Sequence, residues 1–296
     1  MKDKLYAAID IGTNAGRIMI GKIVIENDHE IVQPIQLVRA PLRLGEDVFE
    51  TGEISPAKLK KFILTMKSFK LLAAAYDVKN IVSYATSAMR EASNRDYVID
   101  KIYKKTKLQI EVIDGDREAE LIFKSFNFSE FRDTLPHLFI DVGGGSTELT
   151  IFSKNDNKIS KSFQIGTIRM LKKKVQEGIW QIIENWLKEN TLKADKITAI
   201  GTGGNINKIS QLARKRYLEP VNLNELKDTY EYLVSMSVED RIDQLRMNPD
   251  RADVIVPATE IYIRIMQMAG IDLIYVPKMG LTDGMILEQY YQYKNK

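Results

Sequence analysis

The chain has 296 residues, 44% hydrophobic and 28% charged, with 43 basic residues against 40 acidic ones and a net charge of +3. That length sustains two domains with cores of their own, and that composition is typical of a soluble globular protein. The charge is too small to hold nucleic acid by bulk electrostatics, the lack of cysteine excludes disulfides, thiol chemistry and Cys-ligated zinc, and two isolated histidines, His29 and His137, all but exclude a Ser-His-Asp triad or a multi-histidine metal site.

Tyr6 to Ile9 is an apolar run leading into DIGTNAGR (10–17), and Ile18 to Val24 returns as a second strand. Glu30 to Arg39 alternates like a third strand, with Pro34 marking an edge or a bulge. The segment LRLGEDVFETGE (42–53) reads as a loop. Ser55-Pro56 is an N-cap followed by proline at the first helical position, and Leu59, Phe62, Met66, Phe69 and Ala73 then share a helical face. Lys79 to Tyr84 is a short strand, and ATSAMREASN (85–94) leaves it as a loop entering a helix over 96–105. Leu108 to Ile113 alternates like a strand, 114–116 is a turn, and 117–126 is helical. The polar stretch 129–135 is the expected domain joint.

The second half repeats the plan. Leu138 to Phe152 is a hairpin around DVGGGSTE (141–148), 154–158 is a hairpin turn, and Ile159 to Ile165 is a third strand. Helices are expected from Thr167 and over 180–187. A strand over 196–200 ends in Gly201-Thr202-Gly203-Gly204 before a helix from about Asn205. Further helices are expected over 223–236 and 253–270. A last strand over 273–276 precedes the turn Gly280-Leu281-Thr282-Asp283-Gly284 and a terminal helix.

The two hairpins carry the chemistry. In DVGGGSTE an aspartate stands at a strand end, and three glycines let backbone N–H groups face a ligand without obstruction. Two hydroxyls add donors, and Asp141 and Glu148 flank the loop as possible cation ligands. That is a phosphate cradle with a divalent-metal option. DIGTNAGR echoes it: strand, aspartate, glycine, a small polar turn, strand. One such repeat points to two similar domains with the two hairpins facing a shared phosphate cleft. The glycine turn at 201, 203 and 204 is a weaker nucleotide candidate. It lacks GxGxxG spacing, and nothing in the chain matches GxxxxGK[ST].

Taken together, DIGTNAGR, ATSAMREASN, IDGDREAELIF, DVGGGSTE and RADVI resemble, in order and spacing, the exopolyphosphatase / guanosine pentaphosphate phosphohydrolase family of the actin/Hsp70/sugar-kinase superfamily. The resemblance spans nearly the whole chain and fits the short, two-domain form. It implies an α/β fold of two RNase H-like (actin-like ATPase) domains, each with a mixed five-stranded sheet, facing a central cleft. The expected domains are 1–128 and 129–296, with a terminal helix, about 284–296, packing back on the first.

The resemblance also implies roles. Glu118 matches the glutamate that activates the attacking water, and Arg90 an arginine facing the phosphates. Asp10, Gly12, Thr13, Asn14 and Arg17 match the first phosphate loop. Gly143, Gly144, Gly145, Ser146 and Thr147 match the second, with Asp141 and Glu148 near Mg2+. Lys172, Lys173, Lys174 and Lys208 are candidate exit-groove lysines for a long polyanion, although a lysine run is usually a solvated face. Four departures from the family pattern bear on substrate choice: Ala15 in place of a serine, Pro257-Ala258 where a glycine pair is usual, Thr282 in place of an arginine, and Asn205 after the glycine turn.

The expected activity is hydrolysis of terminal phosphoanhydride bonds in inorganic polyphosphate or guanosine pentaphosphate, with Mg2+, in a homodimer. Neither DNA nor membrane is an expected partner. No stretch approaches a membrane span and MKDKLYAAID lacks a signal peptide's apolar core, so a cytoplasmic location is expected. Two other classes fit the same motifs: a nucleotide-dependent kinase or ATPase of the superfamily, and a catalytically weak polyphosphate or alarmone sensor.

Overall fold

The computed structural model describes residues 4–26, 28–126, 136–152, 158–191 and 197–294. The expected joint at 129–135 and nearly all of the turn at 154–158 lie outside them. The chain divides into two compact units, Met1–Arg132 with Met279–Lys296, and Asp133–Lys278. No helix of the described residues is long and apolar enough to cross a membrane.

The first unit is built on a five-stranded sheet of order β3-β2-β1-β4-β5. Its strands are β1 (Tyr6–Ile11), β2 (Ala15–Glu26), β3 (His29–Pro41), β4 (Ile81–Ala85) and β5 (Glu111–Val112). β1 is buried along its whole length because it is central, with β2 antiparallel on one side and β4 parallel on the other. Side chains alternate across the sheet. Tyr6 and Ala8, with Met19 and Tyr84, pack on α5 (Gly115–Lys124) and α13 (Leu281–Lys294) through Leu121, Ile122, Leu281, Met285 and Ile286. Asp10 follows on that same face. Elsewhere in the unit α2 (Pro56–Ala75), capped by Ser55 with Pro56 in its first turn, buries Phe62, Met66 and Phe69 and packs against β2 and α4 (Arg95–Thr106).

In the second unit the order is β10-β11-β9-β6-β7-β8. These are β6 (His137–Val142), β7 (Thr147–Phe152), β8 (Lys158–Phe163), β9 (Thr198–Thr202), β10 (Val221–Asn222) and β11 (Leu273–Tyr275). The first four repeat the first unit's plan: β6 is central, antiparallel to β7 and parallel to β9. The core gathers around α12 (Ile255–Met268), nine of whose residues are buried and which packs against α7 (Ile179–Thr191), α8 (Gly204–Leu212) and α9 (Leu223–Val234). A helix apolar nearly all round belongs inside a core. Pro257 is tolerated in α12 because it lies in the first turn, where its missing N–H has no intrahelical acceptor to lose.

The structure corrects several expectations. The second sheet has six strands rather than five, since Val221–Asn222 pairs antiparallel with β11 at the edge. The expected loop at 42–53 contains α1 (Leu44–Thr51). Its N-cap, Arg43, is left-handed and makes no side-chain cap, so the usual start signal is missing; Leu44, Val48 and Phe49 bury one face, and left-handed Gly52 closes the end. Only Glu111–Val112 of the expected strand 108–113 pairs with β4. Leu108 and Ile110 alternate because they are buried, not because they are in a ladder. Two short helices, α10 (Val238–Asp243) and α11 (Pro249–Ala252), had no place in the sequence reading. Finally, 280–284 is not all turn: α13 begins at Leu281, and Gly284 lies inside it.

Candidate active site

In the first unit the loop joining β1 to β2 is a tight turn closed by Gly12 N–H donating to the Ala15 carbonyl at 3.0 Å. Asp10 and Arg17 face each other across the hairpin, and Arg17 Nη1 donates to Asp10 Oδ2 at 3.3 Å. Arg17 is thus an ion-pair partner, about one-third exposed, while Asp10 is buried. The loop's carbonyls are tied down by the start of α1. Thr13 O accepts from Gly45 N, and Asn14 O accepts from Leu42 N and Arg43 N at 3.1 and 2.7 Å. This is why a helix follows the loop so closely. The Thr13 hydroxyl is buried and has no hydrogen-bond partner among the described residues. A buried hydroxyl left so carries a desolvation cost. Ala15 is buried at the start of β2.

β4 leads into α3 (Ser87–Glu91), which carries Arg90. Arg90 Nη1 donates to the Ile113 carbonyl at 2.8 Å and to Glu118 Oε2 at 3.2 Å. Asp96, a conceivable surface partner for Arg90, lies instead beside Arg95 at 3.6 Å. Glu118 sits in the first turn of α5, whose N-cap Asp114 accepts from Arg117 N at 2.8 Å. The two expected catalytic side chains therefore meet, one from each of two consecutive strand-to-helix connections. Glu120 points elsewhere: it binds Arg117 and Lys124, whose hydrogen bonds hold its carboxyl down to about 2.

The loop of the second unit is closed the same way, by Gly143 N–H on the Ser146 carbonyl at 2.9 Å. Asp141 and Glu148 oppose each other across β6 and β7. Glu148 is buried, and its Oε1 accepts hydroxyls from Ser146 at 2.7 Å and Ser162 at 2.9 Å. Thr147 donates to the Ile165 carbonyl at 2.6 Å. Behind the glycines, α6 (Thr167–Leu171) takes up their carbonyls. Gly143 O accepts from Thr167 N, Gly144 O from Ile168 N and Arg169 N, and Gly145 O from buried Arg169 Nε at 2.8 Å. A trans peptide points its N–H opposite its C=O. With three successive carbonyls turned back, the amides of 144, 145 and 146 face the other way, the arrangement of a backbone nest.

Arg169 and Gly166 were not visible in the sequence as site residues. A Cβ on Gly166 would stand 2.5 Å from Gly144 C and Gly145 N, so only glycine lets α6 approach the loop. The glycines at 201–204 play different parts. Gly201 lies in β9, and the space of its missing side chain belongs to Ile206 and Ile274. Gly203 has φ of 96° and lies beside Asp141, whose Oδ1 would be 3.0 Å from a Cβ there. Gly204 and Asn205 open α8. Of the four lysines, Lys208 donates to the Leu245 carbonyl, and burial with Arg251 nearby lowers its pKa. Thr282 and Asp283 are buried in α13, and burial, against hydrogen bonds from backbone N–H groups at 280 and 283, pushes the Asp283 carboxyl up to about 7.

Comparison with known proteins gives a consistent assignment. The model of the Ppx/GppA phosphatase family matches residues 23–292. The bifunctional 3-dehydroquinate synthase/phosphatase of Fusobacterium nucleatum is 29% identical over 96% of this chain, which spans only 46% of that protein. Exopolyphosphatase 2 of Mycobacterium tuberculosis is 25% identical, over 95% of this chain and 97% of its own length. The crystal structure of an exopolyphosphatase from Cytophaga hutchinsonii shares the fold, with a TM-score of 0.80, 24% identity and 97% of both chains covered. Two actin-like units with matching hairpins, and a family match over nearly the whole length, place this chain in the Ppx/GppA phosphatase family.

Proposed function

We propose that the protein hydrolyses terminal phosphoanhydride bonds, releasing phosphate from the end of inorganic polyphosphate or from guanosine pentaphosphate. One observation carries the phosphate part of this reading: the carbonyls of 143–145 are all bound behind the loop, leaving a row of amides in front. Such a row suits the oxygens of a phosphate chain and reads neither base nor sugar. The name of the Mycobacterium tuberculosis relative, which this chain matches along nearly its whole length, supports the same class of substrate.

In this reading Glu118 accepts a proton from, and orients, the attacking water. Arg90 is anchored by the Ile113 carbonyl, so it presents its guanidinium in a fixed plane beside Glu118. It offsets charge on the transferring phosphoryl group. Thr13 would donate to a phosphate oxygen, which satisfies its buried hydroxyl. Asp141 and Glu148 would hold Mg2+; their all-oxygen donor set, with Glu148 fixed by two serines, fits a hard cation. The ion, when bound, supplies positive charge to the phosphate oxygens.

The test is phosphate release from long polyphosphate, short polyphosphate and guanosine pentaphosphate, with and without Mg2+, in wild type and Glu118→Gln. Turnover of at least one substrate is expected, lost on metal removal. Glu118→Gln should lower kcat by about 100-fold or more while substrate still binds. Unchanged turnover in the variant removes Glu118 as the base. No release from any of the three removes the hydrolase reading.

A further inference from the structure

α13 does more than cover the sheet of the first unit. Its Gly284 lies directly on α5: a Cβ there would overlap the carbonyl oxygen of Leu121 and come within 2.5 Å of the Leu121 carbonyl carbon. Glycine inside a helix is unfavourable by propensity, so its presence is explained by this close approach. One turn further on, Glu288 receives Arg117 Nη2 on both carboxylate oxygens, at 2.7 and 2.6 Å, and Lys124 Nζ at 3.2 Å. Arg117, Leu121 and Lys124 are spaced by four and three residues, so they form one face of α5, the face against α13. Glu288 Oε2 also accepts the Tyr84 hydroxyl at 3.4 Å. Tyr84 belongs to β4, the strand that leads to Arg90. The Glu288 side chain is only 14% exposed. Burial alone would raise its pKa, but the hydrogen bonds from Arg117 and Lys124 outweigh it and keep the carboxyl low.

One carboxylate thus ties together the helix that presents Glu118 and the strand that leads into the helix carrying Arg90. Glu118 follows Arg117 immediately and points about 100° further round the helix. Any roll or slide of α5 on α13 therefore changes the 3.2 Å meeting of Arg90 and Glu118. We propose that α13 acts as the positioning strut of the catalytic pair, with Gly284 setting how closely α5 seats and Glu288 fixing its rotation. Glu288 is in this sense a positioning residue that works through Glu118. The inference rests on the reading of Glu118 as the base.

A double-mutant cycle tests it with the whole chain and polyphosphate as substrate. Glu288→Gln keeps the shape but weakens the clamp on Arg117; kcat should fall about tenfold with KM within about twofold, because the geometry of reaction is disturbed more than binding. In a Glu118→Gln background the same change should cost nothing further, since no base remains to be misplaced. Gly284→Ala should lower kcat at least as much as Glu288→Gln; if that variant does not fold, the Glu288 cycle decides alone. Wild-type kcat in Glu288→Gln overturns the proposal, as does a loss that multiplies in full with that of Glu118→Gln. Should Glu118→Gln keep full turnover, the catalytic reading falls and this one with it, a result distinct from failure of Glu288 alone.

Discussion

The loops after β1 and β6 are the same turn in two copies, held in place by different means. Each closes with a glycine N–H on the carbonyl three residues on, and each sets an aspartate against a charged residue across its hairpin. In the first loop that residue is Arg17, which neutralises Asp10. In the second it is Glu148, which adds to the negative charge of Asp141. The first loop keeps side chains, and its carbonyls lean on the start of α1. The second loop has three glycines, and its carbonyls are pinned by α6 and a buried arginine. One loop is fitted to present a hydroxyl. The other is fitted to present backbone and two carboxylates. The turn is common to both, and the helix packed behind each copy fixes which of its carbonyls are tied down.

The sharpest way to break this contrast is at the glycines. Gly166→Ala sets a Cβ against backbone atoms of 144 and 145 at 2.5 Å, and backbone cannot swing aside, so phosphate release should fall by about 100-fold or more. Gly12→Ala meets the Ala15 carbonyl at 3.2 Å and Asp10 Oδ1 at an ordinary 4.0 Å, and should cost no more than about tenfold. Equal losses in the two would mean the loops are held alike.

Next come the two arginines, compared by chemical denaturation. Arg169→Ala leaves the buried Gly145 carbonyl without its donor and should cost about 2–3 kcal/mol of stability. Arg17→Ala removes a pair whose arginine is one-third exposed and should cost at most about 1 kcal/mol.

The smallest effects separate the threonines. Thr147→Val breaks a 2.6 Å bond to the Ile165 carbonyl and should cost about 1–2 kcal/mol. Thr13→Val should leave stability unchanged or slightly higher, because its hydroxyl has no partner among the described residues, yet raise KM several-fold. A drop in melting temperature for Thr13→Val with KM unmoved would assign that hydroxyl to the fold, not to a ligand.

Features written in contiguous residues were legible in the sequence. Ser55-Pro56 announced α2, and the two acidic glycine hairpins stand where their phrases put them. α1 was missed because its first residue follows a left-handed arginine instead of a capping side chain. In the site, Arg90 and Glu118 could be named from motifs, and the structure brings them to 3.2 Å. Gly166, Arg169 and Glu288 could not. Each acts on residues at a distance along the chain, and QIGTIRM or ILEQYY carries no local sign of the carbonyl or guanidinium that it will meet. Gly284 sat in plain view and was read as a turn; only the Leu121 carbonyl beside it shows why a helix needed glycine there.

The last feature concerns the order in which the chain is made. The first unit is interrupted: its final helix, Leu281–Lys294, arrives after the whole of 133–278. Until those residues leave the ribosome, Tyr6, Ala8 and Met19 have no Met285 or Ile286 to cover them, and Ala7 lacks its Gln289 partner. The contiguous unit can complete its core during synthesis, whereas the first unit must wait for a helix made after the second. A nascent chain that stops before residue 281 would therefore leave this face of the sheet uncovered and α5 without Gly284 and Glu288 against it, so that the core of the first unit closes only after the second unit has been made.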